Sequence, residues 1–253
     1  MTLQEFFMEN PEVALAFSGG VDSSYLLYEA KKHCKRVRAY TARTAFVPAF
    51  ELEEAEKLAK ELGVPMTFLD LDLLGVPGAA ANGPDRCYHC KTAVFTAIKE
   101  KASEDGFPLV IDGTNASDDA SDRPGMKALQ ELGVRSPLRE CGITKAQVRK
   151  ASREAGLTNW DKPAYACLAT RIPTGTPITK DALERVERGE KALFDMGYAD
   201  FRLRLMGSCA RLQFNSAQLE RAFAERESIV TALDGLFEGV TLDLKPRISS
   251  PEA

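Results

Sequence analysis

Six consecutive residues combine hydroxyl, carboxylate and glycine groups in a pattern that suits phosphate chemistry. They are Ser18-Gly19-Gly20-Val21-Asp22-Ser23, preceded by an apolar run at residues 13–17 and followed by Ser24. The glycines allow positive φ and a close approach of the backbone to a ligand. A helix that begins here directs its free N–H groups and positive dipole end at the turn. The pattern predicts a phosphate-binding loop, although an ordinary glycine turn between strand and helix is the simpler interpretation.

Asp22 lies inside this loop, where a carboxylate would meet phosphate oxygens. A cation between them resolves the repulsion, and Mg²⁺ is held by one or two carboxylates plus phosphate oxygens. The competing interpretation is an acidic first-turn residue that the helix dipole favours. The Walker pattern does not explain the loop, because no Gly-Lys-Ser/Thr follows the glycines.

Two groups of cysteines could carry sulfur or metal chemistry. Cys87 and Cys90 form a C-x-x-C pair, which is typical of a metal half-site, of a redox pair or of chance. Cys167 lies in a proline-flanked segment four residues before Arg171, and a nearby cation lowers the pKa of a thiol. We therefore expect a reactive thiolate at Cys167, unless it is a buried structural cysteine. The remaining three cysteines, Cys34, Cys141 and Cys209, are interpreted as structural.

Further candidate ligands lie at the ends of predicted strands. Asp112-Gly113-Thr114-Asn115 ends one strand in small polar residues that suit a nucleotide pocket, and equally suit a turn. Thr41 follows another predicted strand and is included among the nucleotide-binding residues. Arg202, Arg204 and Arg211 share one face of a predicted hairpin, which suits a phosphate or carboxylate ligand or a solvated strand face.

The elements that position these residues alternate between strand and helix. Strands are predicted at 13–17, 36–40, 66–71 and 109–112, and helices at 21–32, 51–62 and 144–155, with an irregular loop at 74–84. This order predicts a parallel sheet flanked by helices, with ligands beyond the carboxyl ends of the strands. After a crossing segment at 161–177, a helix at 180–196, a hairpin at 201–214, one helix at 216–233 and a strand at 240–244 predict a small α+β domain. We place the two domains at residues 1–165 and 166–253.

Composition excludes several classes of protein. The 253 residues are 44% hydrophobic and 28% charged, typical of a globular chain, and no apolar run approaches the roughly 20 residues of a membrane span. The first residues lack the pattern of a signal peptide, so we expect a cytoplasmic protein that binds no membrane. The net charge of −4 without a basic run argues against a nucleic-acid partner.

The motifs together resemble a known family. Ser18–Ser23 resembles the PP-loop of the ATP pyrophosphatases, and four later stretches resemble the LarE family within that superfamily. These are Asp85-Arg86-Cys87-Tyr88-His89-Cys90-Lys91, Asp112-Gly113-Thr114-Asn115, Arg123-Pro124-Gly125, and the stretch from Lys162-Pro163 to Cys167-Leu168-Ala169-Thr170-Arg171-Ile172-Pro173. The departures are Thr170, where serine is usual, and Thr174-Gly175, where Tyr-Gly is common; both concern substrate fit.

The resemblance implies an ATP-dependent sulfur insertase that converts carboxylates of a pyridinium biscarboxylic acid mononucleotide into thiocarboxylates for the nickel-pincer cofactor of lactate racemase. ATP would adenylylate the carboxylate and release pyrophosphate, and the Cys167 thiolate would displace AMP. An elimination across the Cα–Cβ bond of Cys167 would then leave the sulfur on the product. Thiolates are strong nucleophiles when their pKa is depressed.

The resemblance also assigns ligands. ATP would contact Ser18, Gly19, Gly20, Val21, Asp22, Ser23, Ser24, Thr41, Gly113 and Thr114, with magnesium on Asp22. Arg171, Arg202, Arg204 and Arg211 would bind the small-molecule substrate, and the family implies a homo-oligomer. In a second version of the chemistry, Cys87, Cys90 and Cys167 hold a four-iron four-sulfur cluster that carries the sulfide. The PP-loop is also compatible with an amidating synthetase, a tRNA thiolase and a non-catalytic nucleotide-binding or iron–sulfur module.

Overall fold

The computed structural model describes residues 1–118 and 124–247. Seven strands lie within this part of the chain: β1 Glu12–Ala16, β2 Arg36–Arg43, β3 Met66–Asp70, β4 Val110–Asp112, β5 Arg202–Met206, β6 Cys209–Gln213 and β7 Val240–Leu242. The helices in the same residues are α1 Leu3–Glu9, α2 Val21–His33, α3 Ala49–Glu61, α4 Pro77–Ala80, α5 Arg86–Glu104, α6 Pro124–Glu131, α7 Pro137–Glu140, α8 Lys145–Glu154, α9 Lys180–Asp195, α10 Ser216–Ala224 and α11 Arg226–Ala232. A short 3₁₀ turn covers Leu168–Arg171.

The larger sheet is parallel, with the strand order β3-β2-β1-β4. Alternate residues of β1 face different cores, as the strand period requires. Val13 and Leu15 belong to the core on the side of α1, α2 and α3, whereas Ala14 packs into the core with Phe95 of α5. Helices therefore cover both faces, which confirms the predicted fold class.

The smaller sheet contains the antiparallel hairpin β5–β6 and the parallel neighbour β7. Its inner face contributes Leu203, Leu205 and Leu212 to a core that also contains Phe46 and Leu73 from the first part of the chain. One apolar core therefore contains residues from both sides of the boundary that we predict between residues 165 and 166.

Three of the predicted elements differ from the structure, and the others are confirmed with small shifts of their ends. Helices α1, α5, α6 and α7 are additional elements that the sequence analysis does not predict. The loop at 74–84 contains α4, and the crossing segment at 161–177 contains the 3₁₀ turn. The helix at 216–233 is interrupted at Glu225, where ψ is 14°, so α10 and α11 are separate. The long helix α5 was not predicted; it begins one residue before Cys87.

Some predictions fall outside the described residues, namely Arg123 and the end of the chain after residue 247. Among residues 1–118 and 124–247, no helix combines the length and apolar character that crossing a membrane requires.

Candidate active site

The phosphate-binding loop connects the carboxyl end of β1 to α2. Gly19 has φ +71°, and a Cβ atom there would lie 2.9 Å from the Cβ of Ala55, so both conformation and space require glycine. The hydroxyls of Ser23 and Ser24 donate to the carbonyl oxygen of Gly20 at 3.1 and 2.8 Å. The loop is fixed in shape by these contacts, and α2 begins at Val21 with its N-terminal amides toward it.

The end of β4 lies against the same loop. A Cβ atom on Gly113 would lie 2.9 Å from the backbone nitrogen of Ser23, so glycine permits the close approach of the two segments. Asp112 accepts hydrogen bonds from Ser136 Oγ at 2.6 Å and Thr114 Oγ1 at 2.5 Å. The hydroxyl of Thr41 donates to the carbonyl oxygen of Phe17 at 2.5 Å, which ties β2 to the end of β1. The polar ends of β1, β2 and β4 therefore meet, as predicted.

The Asp22 carboxylate contacts one cation and one amide side chain. Lys145 Nζ lies 2.6 Å from Asp22 Oδ2, and Asn115 Nδ2 donates to Oδ1 at 3.3 Å. Lys145 is the first residue of α8, whose N-cap Thr144 forms a capping box with Gln147. The capping box was predicted, but Lys145 was not assigned to the site, because nothing in the sequence around residue 145 indicates a partner at residue 22.

Two adjoining cavities lie at this edge of the sheet. The loop cavity, about 330 Å³, is lined by Ser18, Asp22 and Gly113 among others. The thiol cavity, about 400 Å³, is lined by Ser18, Thr41 and all three of Cys87, Cys90 and Cys167. The cavities share Ala16, Ser18, Lys91 and Phe95. The phosphate loop and the sulfur atoms therefore lie on neighbouring cavities that share part of their walls.

Cys167 is half-buried and is the residue before the 3₁₀ turn. Its carbonyl oxygen accepts from Thr170 N at 3.0 Å and Thr170 Oγ1 at 2.8 Å. Burial raises the pKa of the Cys167 thiol, which is the opposite of the depressed value that the neighbouring Arg171 led us to expect. Burial likewise raises the pKa of Cys90 to about 12.

Arg171 does not reach the cavity as a free cation. Its side chain is fully buried and pairs with Glu190, with Nε 2.8 Å from Oε1. It also donates to the carbonyl oxygen of Ala166 at 2.9 Å and to Thr170 Oγ1 at 2.8 Å. The contact between Arg171 and substrate stays a prediction, because the partners seen here all belong to the protein and the guanidinium organises the turn after Cys167.

The other arginines lie on one face of β5–β6, as predicted. Arg204 pairs directly across the hairpin with Arg211, and Arg202 lies two residues along the strand. Arg202 donates to the carbonyl oxygen of Ala164 at 2.9 Å, and Arg204 to that of Thr170 at 3.0 Å. Arg211 instead forms an ion pair with Asp243. Burial, together with the neighbouring Arg171 and Arg247, lowers the pKa of Arg202 to about 10.

The donor sets fit nucleotide and magnesium better than an iron–sulfur cluster. Asp22 offers a carboxylate beside a loop of backbone amides, which matches the way proteins hold magnesium with a nucleotide phosphate. Within residues 1–118 and 124–247 no group of three or more His, Cys, Asp or Glu side chains is arranged to hold a metal ion. Cys87, Cys90 and Cys167 line one cavity without forming such a group, so the cluster version stays a prediction.

The chain is similar to two proteins over nearly its whole length. The chain is 34% identical over 246 residues to pyridinium-3,5-bisthiocarboxylic acid mononucleotide synthase of Lactiplantibacillus plantarum, over 96% of this chain and 89% of that protein. The chain belongs to the LarE family. It is also 36% identical over 247 residues to Synechocystis protein slr1717, over 96% of this chain and 92% of the relative.

Several more distant matches cover only part of the chain. A family model for queuosine biosynthesis protein QueC matches residues 12–83. A 7-cyano-7-deazaguanine synthase of Bacteroides fragilis is 31% identical over 101 residues, 40% of this chain and 42% of that protein. Membership of the LarE family, with the PP-loop at residues 18–23, makes the chain an ATP-using sulfur transferase.

Proposed function

We propose that this LarE family member adenylylates a carboxylate of a pyridinium biscarboxylic acid mononucleotide and converts it into a thiocarboxylate, with sulfur donated by Cys167. The product would serve the synthesis of a nickel-pincer cofactor, in line with the name of the Lactiplantibacillus relative. One observation carries the proposal: Ser18 of the phosphate loop and Cys167 line the same cavity.

The first step is the attack of the substrate carboxylate on the α-phosphorus of ATP, which releases pyrophosphate and forms an acyl adenylate. Backbone amides at the start of α2 and the hydroxyls of Ser18 and Ser23 face the phosphates. Lys145 supplies positive charge beside Asp22. Asp22 would hold magnesium, which would supply positive charge beside the departing pyrophosphate. Lys91, which lines both cavities, adds a second cation that was not predicted from the sequence.

The second step forms a thioester. The Cys167 sulfur attacks the acyl carbon, the bond to the adenylate oxygen breaks, and AMP leaves with the bonding pair. Burial raises the pKa of the Cys167 thiol and so favours its protonated form, and the thiol proton passes to the phosphate of the departing AMP as the carbon–sulfur bond forms. A neutral thiol does not repel the anionic substrate that must enter the same cavity.

The third step separates product from protein. A base takes the Cα proton of Cys167, a double bond forms between Cα and Cβ, and the Cβ–Sγ bond breaks. The thiocarboxylate leaves with the sulfur, and residue 167 becomes dehydroalanine. Cysteine minus the elements of H₂S accounts for every atom, so each protein molecule would transfer one sulfur.

The substrate phosphate is assigned to the arginine face of β5–β6. Arg202 and Arg204 lie two residues apart on that face, and both donate to the segment that carries Cys167. Guanidinium groups bind phosphate through paired hydrogen bonds. A phosphate here would hold the mononucleotide beside the thiol, whereas Arg211 is already paired with Asp243.

The proposal is tested by separating the two half-reactions in Cys167→Ala. We expect this variant to release pyrophosphate from Mg-ATP in the presence of the pyridinium substrate and to form no thiocarboxylate, measured by phosphate-coupled assay and product mass. Cys209→Ala is the matched control, a half-buried thiol on β6, and should retain both activities. Thiocarboxylate from Cys167→Ala, or a wild-type protein that forms an amide from added ammonium and no thiocarboxylate, would contradict the proposal.

A further inference from the structure

Asn82 is a fully buried polar residue in a backbone conformation that few residues adopt. It is 0% exposed and has φ +57°. Its side-chain nitrogen Nδ2 donates to the carbonyl oxygens of Pro173 and Thr176, both at 2.9 Å. Its backbone carbonyl oxygen accepts from Gly175 N at 2.9 Å. Asn82 therefore holds the residues that directly follow the 3₁₀ turn after Cys167.

Arg86 extends this attachment into the turn itself. Its Nη1 donates to the side-chain oxygen of Asn82 and, at 3.0 Å, to the carbonyl oxygen of Ala169. Arg86 is the first residue of α5 and lines the thiol cavity together with Cys167. One guanidinium thus connects a rigid helix, a buried asparagine and the turn that presents the sulfur.

The charge of Arg86 also acts on the thiol. Burial is the largest influence on the pKa of Cys167 and raises it; Arg86 is the largest influence in the opposite direction. Cys87 raises this pKa further, whereas the backbone N–H of Thr170 and the guanidinium of Arg171 lower it less than Arg86 does. The cation that the sequence analysis sought at Arg171 is therefore found at Arg86, 81 positions before Cys167 in the chain.

We propose that Arg86, fixed by Asn82, is a positioning residue that holds the turn after Cys167 so that the sulfur faces the acyl adenylate. The inference rests on the proposed role of Cys167 as nucleophile. It assigns the long α5 a role in the second step of the reaction, separate from the phosphate loop. Loss of Arg86 should therefore slow sulfur transfer and leave adenylylation intact.

The test compares Arg86→Gln, Arg86→Lys and the matched control Arg36→Gln. Arg36 also donates to two backbone carbonyls, those of Asp105 and Gly106 at 2.9 Å, but lies at the amino end of β2, away from the cavities. Single-turnover formation of thiocarboxylate, substrate-dependent pyrophosphate release and the KM for ATP are measured for each. Alkylation of Cys167 by iodoacetamide, without substrates and mapped by peptide mass, provides a readout independent of sulfur transfer.

We expect Arg86→Gln to slow thiocarboxylate formation by about tenfold or more, which is the effect of losing a hydrogen bond from a charged group. Pyrophosphate release and the KM for ATP should remain at wild-type values, and Arg86→Lys should recover part of the rate. The alkylation rate of Cys167, relative to Cys209, should change several-fold in Arg86→Gln and remain unchanged in Arg36→Gln.

Wild-type transfer and alkylation rates in Arg86→Gln would overturn the inference and leave the proposed function intact. Equal losses of pyrophosphate release and transfer in both Arg86 variants would also overturn it, because they indicate a general structural role. Should Cys167→Ala form thiocarboxylate, the proposed function fails, whereas the alkylation rates still decide whether Arg86 positions the thiol.

Discussion

The phosphate loop and the Cys167 turn lie on one cavity but are held in place by different kinds of contact. In the loop, the hydrogen bonds among residues 18–24 join positions at most five apart, such as Ser18 Oγ with Ser23 Oγ at 3.1 Å. Asn159 Nδ2 adds two long-range bonds, to Gly19 O at 3.1 Å and to Ser24 Oγ at 2.9 Å. In the Cys167 turn the hydrogen bonds come from distant parts of the chain: Phe46 O accepts from Leu168 N at 2.9 Å, and Arg86 donates to Ala169 O at 3.0 Å.

Because the two regions are held by different contacts, nucleotide binding and sulfur transfer should respond to different substitutions. The shape of the phosphate loop follows mainly from contacts among residues 18–24 at the start of a helix, to which Asn159 adds a long-range contact. Cys167 packs against the core of the smaller sheet, which also contains Phe46 and Leu73 from the first part of the chain. Its turn is fixed by the pair of Arg171 with Glu190 of α9. Variants in the two regions should therefore fail in different ways.

The largest effect is expected from Arg171→Ala in the Cys167 turn. The substitution leaves the Glu190 carboxylate, 1% exposed, without its buried cation. Breaking a buried ion pair in this way costs about 3–5 kcal/mol, so the free energy of unfolding in urea should fall by that amount. Arg211→Ala is the control, because its pair with Asp243 is more exposed and should cost about 1 kcal/mol or less.

Equal losses of unfolding free energy in the two variants would contradict the structural role of Arg171. An unchanged stability together with a raised KM for the pyridinium substrate would return Arg171 to the substrate-binding residues, as the sequence alone suggested.

Asp22→Asn tests the phosphate loop separately from the Cys167 turn. The amide is a poor magnesium ligand and carries no charge for Lys145, so pyrophosphate release should slow by on the order of 100-fold. Alkylation of Cys167 should be unaffected, because the turn is held independently. The release assay is run across a magnesium titration, with Asp70→Asn at the end of β3 as control. An unchanged release rate would remove the metal role of Asp22.

Arg204→Ala sharpens the assignment of the substrate phosphate. Losing a charged hydrogen bond should raise the KM for the pyridinium substrate about tenfold, with the KM for ATP unchanged. Arg211→Ala should have less effect on this KM, because Arg211 is paired with Asp243. Steady-state kinetics with each substrate varied in turn measure both constants. No change in either constant would remove Arg204 from the substrate site.

Thr144→Ala should have the smallest effect. Thr144 Oγ1 accepts from Gln147 N at 3.4 Å in the capping box of α8. Losing such a cap costs about 1 kcal/mol of unfolding free energy, measured in urea. Because Lys145 is the next residue, pyrophosphate release should also slow slightly, whereas Cys167 alkylation should not change. A fall in unfolding free energy as large as that of Arg171→Ala would contradict the expectation that the cap contributes less than the buried ion pair.

Features that depend on short stretches of sequence could be predicted from the sequence. The parallel sheet, the phosphate loop, the capping box at Thr144 and the arginine face of β5–β6 follow from short patterns of hydrophobicity, glycine and alternation. Each of these features depends on residues a few positions apart, so propensity and period contain the necessary information.

The sequence does not predict pairings between distant residues. Nearness in sequence suggested Arg171 as the cation for Cys167, but a buried Glu190 takes that charge and Arg86 approaches the thiol instead. The contact of Lys145 with Asp22 spans 123 positions and leaves no signal in either segment. The sign of the pKa shift at Cys167 is also a tertiary property, because burial determines it.

The central claim is that the Cys167 sulfur becomes part of the product. Intact mass spectrometry of the wild-type protein before and after incubation with Mg-ATP and the pyridinium substrate tests it most directly. We predict a loss of about 34 Da, one H₂S, localised by peptide mapping to residue 167. An unchanged protein mass in a sample that has formed thiocarboxylate would contradict the claim.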